Sequence, residues 1–378
     1  MPDRGFLKYL VLPLIACVLA TGPTLVHGEA LNVFEVRDVA VDVTAETAAK
    51  AREQARMQGE ARAFQTLMER LTLRIEHSSL PQLSNEEIST YVKDFSVNDE
   101  KTSSVRYLAR LTFRFKPKDV RGLLVESGFS FAETVSKPVL VLPVFQNAGA
   151  LILWDDPNPW RDAWASRPKT RSLVPTQIPT GTLADIAAIG AEQAMDGDPQ
   201  RLKAIGNRYG ASDALVAFGV MRIEAAKARR VLDVYFTRFG RQLKEQTEVI
   251  SFPQNTDETV PALLARAAQE LTYVVEDNWK RDNLLRFDRA GMIAVVVPIK
   301  GLKDWLKVRA MLAGVAVLRR TDLVLLSKER AHLNLHYIGE TNQLALALEQ
   351  ADLKLVQENE QWRLSAAKSA QTVGATAK

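Results

Sequence analysis

One cysteine, four histidines and no apolar run of comfortable membrane-spanning length are all that this 378-residue chain offers to thiol, imidazole and membrane chemistry. The cysteine, Cys17, lies in the amino-terminal segment. If that segment is removed, the mature chain can form neither a disulfide nor a zinc–cysteine site, and its stability must come from packed cores. His332 and His336 are four apart, but Leu333, Leu335 and Tyr337 alternate with them as in a strand. Strand spacing sets those imidazoles about 13 Å apart, which argues against a shared metal. The sequence has no G-x-S-x-G elbow, no S-x-x-K at Ser172 or Ser251 and no G-x-x-x-x-G-K loop. No metal, no cofactor and no catalytic residue is therefore expected. A strongly one-signed charge is also missing: 49 Lys and Arg stand against 45 Asp and Glu, spread along the chain. That balance lacks the concentrated basic face a nucleic-acid binder needs.

What is present begins with an address. Arg4 and Lys8 precede an apolar run from Tyr9 to Ala20, interrupted by Pro13 and followed by Val26-His27-Gly28, the layout of a secretory signal over residues 1–28. The run is shorter than the about 20 residues that span a bilayer. Two processing routes fit: ordinary cleavage before Glu29, or lipidation of Cys17 within Leu14-Ile15-Ala16-Cys17. Either makes the chain exported, periplasmic or associated with the outer membrane.

Hydrophobic residues at 47% and charged residues at 25% are globular proportions, enough for two or three domains. The first, residues 29–134, reads as α+β. Val39, Val41 and Val43 alternate as a strand, and a helix follows from Thr44 to about Leu71 with Ala48, Ala51, Ala55 and Gly59 on one stripe. Lys50, Arg52, Glu53, Arg56 and Glu60 form its solvated face. Ser84 with Glu87 caps a short helix to Asp94, and Tyr107 to Phe115 alternate as a half-buried strand. The second, residues 135–285, reads as α/β. Val139 to Leu142 suit a strand covered on both faces, Thr182 and Asp198 open helices, and three runs from Ala214 to Phe252 form an antiparallel meander. The third, residues 286–365, reads βαββαβ, a ferredoxin-like pattern, with a return through Trp362. Residues 366–378 are small and polar, as in a disordered tail. The stretches 134–137 and 281–289 read as linkers open to proteolysis.

The runs Val139-Leu140-Val141-Leu142-Pro143-Val144-Phe145 and Tyr209-Gly210-Ala211-Ser212-Asp213-Ala214-Leu215-Val216-Ala217-Phe218-Gly219 make the middle unit resemble the α/β domain of TolB amino-terminal regions, the curli secretion lipoprotein CsgG and the outer-membrane activators of penicillin-binding proteins. The first unit, with its Ala-rich helix, is similar to the amino-terminal part of the flagellar assembly protein FlgT. End to end, the mature chain resembles the proteobacterial envelope family known as domain of unknown function two-thousand-sixty-six. These relatives are envelope assembly and regulatory proteins, so the resemblance implies a non-enzymatic adaptor with an envelope protein as partner.

The residues single out one surface candidate. Leu153 to Trp164 holds Trp154, Trp160 and Trp164 with Asp155, Asp156, Arg161 and Asp162 in a Pro-rich connection. Trp and Arg are enriched at interface hot spots, and loops carry binding roles. Asn158 before Pro159 predicts an N-cap that aligns Trp160 and Trp164 on one helix face. Trp160 is expected to meet a partner and Trp164 to be structural. The alternative is contact with peptidoglycan or another glycan, bound or cleaved by Asp155, Asp156 or Asp162 beside the indoles. A third reading folds the segment back as a cap on the sheet.

Overall fold

A computed structural model describes residues 32–168, 171–227, 229–240, 246–285, 289–359 and 361–367. The expected signal over 1–28, Cys17 and nearly all of the expected tail lie outside the described residues. The rest is a mixed α and β structure carrying three sheets among the described residues.

The first sheet is built from β1 (Glu35–Thr44), α1 (Ala48–Leu71), a 3-10 turn (Arg74–Ser79), α2 (Asn85–Tyr91), β2 (Val92–Thr102), β3 (Arg106–Phe115) and α3 (Pro117–Glu126). The strands run antiparallel in the order β1-β3-β2. Thr47 caps α1 by accepting from the Lys50 amide, and Ser84 and Glu87 form the capping box of α2. The small-residue stripe seats α1 against the sheet: Ala51 and Ala55 are fully buried, and a Cβ on Gly59 would lie 2.9 Å from Leu111 Cδ1 and 3.2 Å from Val41 Cγ1. Two expectations need correction. Glu60 is not on the solvated face but buried, accepting from Arg56 at 2.8 Å and from the Ser89 hydroxyl at 2.9 Å, because α2 folds over that turn of α1. The residues from Val92 leave the helix and form β2, an edge strand whose half-exposed side chains carry little alternation.

The second sheet contains β4 (Val139–Leu142), β5 (Phe145–Asn147), β6 (Ala150–Ile152), α4 (Pro159–Ala165), β7 (Thr176–Gln177), α5 (Leu183–Ala188), α6 (Ala191–Met195), α7 (Pro199–Tyr209), β8 (Asp213–Glu224), β9 (Arg229–Phe239), β10 (Gln246–Pro253) and α8 (Val260–Asp282). Its order is β10-β9-β8-β4-β7, with the β5–β6 hairpin extending from β8. β4 is parallel to β7 and β8, whereas β8, β9 and β10 form the antiparallel meander. Val139 and Val141 join one core, Leu140 and Leu142 the other, so β4 is covered on both faces. The helix that opens at Thr182 stops at Ile189, which is extended and fully buried, and another then starts from Gly190.

The third sheet comes from β11 (Ala290–Pro298), α9 (Leu302–Ala313), β12 (Leu318–Leu326), β13 (Arg330–Ile338), α10 (Thr341–Gln350), β14 (Leu353–Glu358) and β15 (Gln361–Ala366). The order is β12-β13-β11-β15-β14. A βαββαβ unit of ferredoxin type would put one antiparallel strand beside β11. Here the chain turns back through Asn359 in the left-handed region, and β15 lies parallel to β11 with β14 outside it. Ala366, expected in the tail, is still paired with Leu353.

The boundaries divide the sheets but not the packing. One core runs from Val33 to Leu364, and the described residues from Asn32 onward form one compact unit. The stretch expected to be an open linker at 134–137 is interior: Thr134 and Ser136 are buried, Trp279 Nε1 donates to the Thr134 carbonyl at 2.7 Å, and the Ser136 amide donates to Leu173 at 2.8 Å. The same holds for the start of the second linker, where Asn283 and Leu285 are buried and the Leu285 amide donates to Phe131. Gln343 of α10 donates to the Leu284 carbonyl, tying the third sheet to that crossing.

Candidate functional site

The tryptophan segment folds as a cap. Asn158 is buried, accepts from the Arg161 amide at 3.0 Å and donates to Leu153, while Pro159 takes the first helical position of α4. Trp160 and Trp164 do lie on one face of α4, edge to face at 5.7 Å, but that face points inward. Trp160 is 0% exposed and donates from Nε1 to Ala217 of β8 at 2.9 Å; Trp164 is 1% exposed. Gly219 leaves room for the Trp160 ring, since a Cβ there would stand 3.4 Å from Nε1. The expected division, Trp160 facing a partner and Trp164 structural, is therefore corrected: neither ring reaches the surface. Trp154 is half-buried and donates to Ile189 at 2.6 Å. Arg161 donates to the Trp154 carbonyl at 2.8 Å and contacts Asp156, closing the loop on itself. Asp155, Asp156 and Asp162 are exposed; of the rings beside them, Trp160 is in the core and Trp154 is half-buried.

A second place gathers charge that the sequence scatters over 240 residues. A cleft of about 490 Å³ opens where the first sheet meets α8. β1 supplies Arg37 and Asp38 at a bulge between Val36 and Val39, with Asp38 in the left-handed region. The last turns of α1 supply Glu69 and Arg70, and the 3-10 turn supplies Arg74 and His77. Across from them stand Arg171 and Ser172, and one face of α8 with Tyr273, Glu276, Asp277 and Lys280 at helical spacing.

The two sides are bonded to each other. Lys280, 3% exposed, donates from Nζ to the Glu69 and Thr72 carbonyls at 2.8 and 2.7 Å, placing a cation on the carboxy-terminal end of α1 where the helix dipole favours one. Arg74 pairs with Glu270 and lies 4.3 Å over the Tyr273 ring. Arg70, 8% exposed, donates from Nη1 to the Val33 and Glu35 carbonyls at 2.7 and 2.8 Å, and its Nε has no partner. Burial, with the positive charge of Arg171 nearby, lowers the Arg70 pKa to about 10. Burial raises the Glu276 carboxyl above its ordinary range against the opposing pull of Ser172, Lys280 and Arg167, and burial lowers Lys280.

A third feature lies on the last sheet. β12 is an edge strand, and its second half is apolar and open: Leu323, Val324, Leu325 and Leu326 are 47%, 63%, 55% and 40% exposed. Beside it a groove of about 520 Å³ crosses the uncovered face, reaching from Val324 past Val296 and His332 to Asn359. His332 and His336 sit on this face of β13, His336 donating from Nε2 to the Asp322 carboxylate at 2.9 Å. The short spacing of four apolar residues was visible in the sequence; that the strand is at an edge was not.

Comparison with family models, with curated proteins and with solved structures returned no match for this chain. Among the described residues no helix is long and apolar enough to cross a membrane.

Proposed function

We propose that the chain is an exported, non-enzymatic adaptor of the cell envelope that captures a partner protein by strand addition at β12. The observation that carries this reading is the run Leu323–Leu326, all at least 40% exposed on a sheet edge. Edge strands offer unpaired backbone groups, and proteins blunt them with charge, bulges or cover. Here the first half of β12 carries Arg319, Arg320 and Asp322, whereas the second half, though irregular between Leu323 and Leu325, carries only aliphatic side chains. An extended partner segment with alternating apolar residues would satisfy the backbone and cover those side chains together. The resemblance to the TolB, CsgG and FlgT families supports an assembly or regulatory role, and the signal-like leader supports export. Glycan binding through the tryptophan segment is the less supported reading, since Trp160 and Trp164 are buried and only Trp154 is half-exposed beside Asp155 and Asp156.

A photocrosslinking residue at position 324 of the full chain, expressed in its own cells, tests the reading. A discrete adduct with an envelope protein is expected from position 324 and not from position 183, where Leu183 is 86% exposed on a different sheet's helix. Leu325→Lys should abolish it. Equal adducts from both positions, or adducts indifferent to Leu325→Lys, would refute strand capture.

A further inference from the structure

The outward face of α9 carries apolar residues that nothing covers and cations that nothing neutralises. The helix packs inward through Trp305, Val308 and Leu312, all buried. At about 100° per residue, Leu302, Leu306, Ala310 and Ala313 then fall on one stripe of the solvent side, each of them exposed, with Leu302 at 65% and Leu306 at 51%. Lys303 and Lys307 border that stripe on one side and Arg309 on the other. Lys300 before the helix and Lys328 in the turn after β12 are exposed as well, and they share a rim because the Ile299 amide donates to the Glu329 carbonyl at 2.9 Å. Elsewhere a solvated helix face of this chain neutralises itself: along α1, Lys50 pairs with Glu46, Arg52 with Glu100 and Arg56 with Glu53 and Glu60. Among the described residues Lys300, Lys303, Lys307, Arg309 and Lys328 form no ion pair. The carboxylates beside them are Glu329 in the turn and Asp304, which accepts from the Lys300 amide at 3.0 Å and falls on the flank of α9 away from both leucines. Five cations against two carboxylates is a concentration of charge that the whole chain, with 49 basic and 45 acidic residues, does not have.

We propose that the outward face of α9 docks the protein on a membrane surface bearing anionic lipid headgroups. Leucines bordered on both sides by long basic side chains are the arrangement of a helix that lies in an interface. The apolar stripe enters the boundary between headgroups and acyl chains, while lysine and arginine run their stems along it and reach the phosphates. With 12 residues α9 lies on such a surface and does not cross it, since a span takes about 20. Attraction to anionic lipid adds to the apolar burial, and each basic residue near the surface strengthens binding about fivefold. A folded acidic partner suits this face less well for a reason of area. Two leucines and two alanines on a helix crest fall short of the about 800 Å² per side that a stable protein interface covers, whereas a bilayer surrounds any apolar side chain that enters it.

The test is cosedimentation of the chain from Glu29 onward, without its signal-like leader, with vesicles of phosphatidylcholine and phosphatidylglycerol in equal parts, beside vesicles of phosphatidylcholine alone. Binding to the mixed vesicles is expected, weakened by salt and about tenfold or more above binding to phosphatidylcholine. Lys303→Gln combined with Lys307→Gln should lower it about tenfold or more, and Leu302→Gln combined with Leu306→Gln should lower it by a similar factor through lost apolar burial. All four positions are exposed, so both double variants should melt with the wild type. Leu183→Gln, at an exposed leucine of α5, should leave vesicle binding unchanged. In cells, a photocrosslinking residue at position 310 should yield lipid adducts. A discrete protein adduct there, with another protein or with a second copy of this chain, would overturn the membrane reading, as would equal binding to the two kinds of vesicle or binding indifferent to either pair of α9 substitutions. Leu325→Lys, the variant that tests strand capture, should not lower vesicle binding; a loss there would move the contact to β12 and remove α9 from it. Strand capture and membrane docking are thus read by different variants and stand or fall separately.

Discussion

Trp160 and Trp164 mark how far side-chain chemistry alone can be trusted. Their spacing and the Asn158-Pro159 start give the helix and its common face directly, but the same two rings serve as well for a core as for a surface. The deciding fact is the position of β8, whose Ala217 carbonyl accepts from Trp160 at 2.9 Å. Truncating either ring to Ala should cost about 3 to 5 kcal/mol in chemical denaturation, as for other buried aromatics. Near-neutral behaviour of Trp160→Ala would return that ring to the surface. Glu276 was hidden in sequence for a related reason: nothing in the α8 pattern tells which polar residue faces a charged cleft. Burial raises its folded pKa above the unfolded value, so its favourable contribution is complete at low pH and is lost as pH rises through the folded value. Glu276→Gln should therefore match the wild type in stability near pH 4 and exceed it near pH 8. A stability difference of the same size at both pH values would rule out titration of Glu276 as its source.

At the scale of elements, legibility followed the strength of the buried pattern. β3 and β4 could be read because their inward residues are continuous, and α7 could be read because Asp198 starts it and Gly210, left-handed at φ 62°, stops it. β2 was missed because its inward side chains are sparse; the return through Trp362 could be read, but not that it lies parallel to β11 and between β11 and β14. Gly59 shows what the small-residue stripe is for. The helix backbone lies so near the sheet that a side chain there meets Leu111, Val41 and Phe113, so the stripe sets an interlayer distance, not a binding face. Gly59→Val should destabilise by about 1 to 3 kcal/mol through overpacking, even though valine would add apolar surface. Ala61→Val, a half-buried position on α1, should change stability by no more than about 0.5 kcal/mol by the same thermal measurement. Equal effects at both positions would mean helix propensity, and not the close approach, governs the site.

For the whole molecule, three sheets do not mean three independent bodies. The composition of 134–137 and 281–289 resembles that of linkers because Lys137, Arg281, Asp282 and Arg289 are polar, yet Phe131, Thr134 and Leu285 between them carry the crossing contacts. Trp279 is the joint: its ring belongs to the core, and its Nε1 is spent on the Thr134 carbonyl at 2.7 Å. Beside it Lys280 ties α8 to the end of α1, so the cleft lined by both exists only while the first two sheets stay docked. Protease access at Thr134 should then require global opening, and the cut rate should track overall stability. Trp279→Phe removes the donor and part of the buried ring, and should destabilise by about 1 to 3 kcal/mol because the Thr134 carbonyl is left unpaired and a small cavity opens in the interior. In limited proteolysis of the full chain, that variant should show faster cleavage throughout the sequence, with no new preferred site between Phe131 and Lys137. Rapid scission there in the wild type, releasing a stable fragment that begins near Pro138, would show that the first sheet is a separable domain and that the cleft is a hinge opening instead of a built pocket.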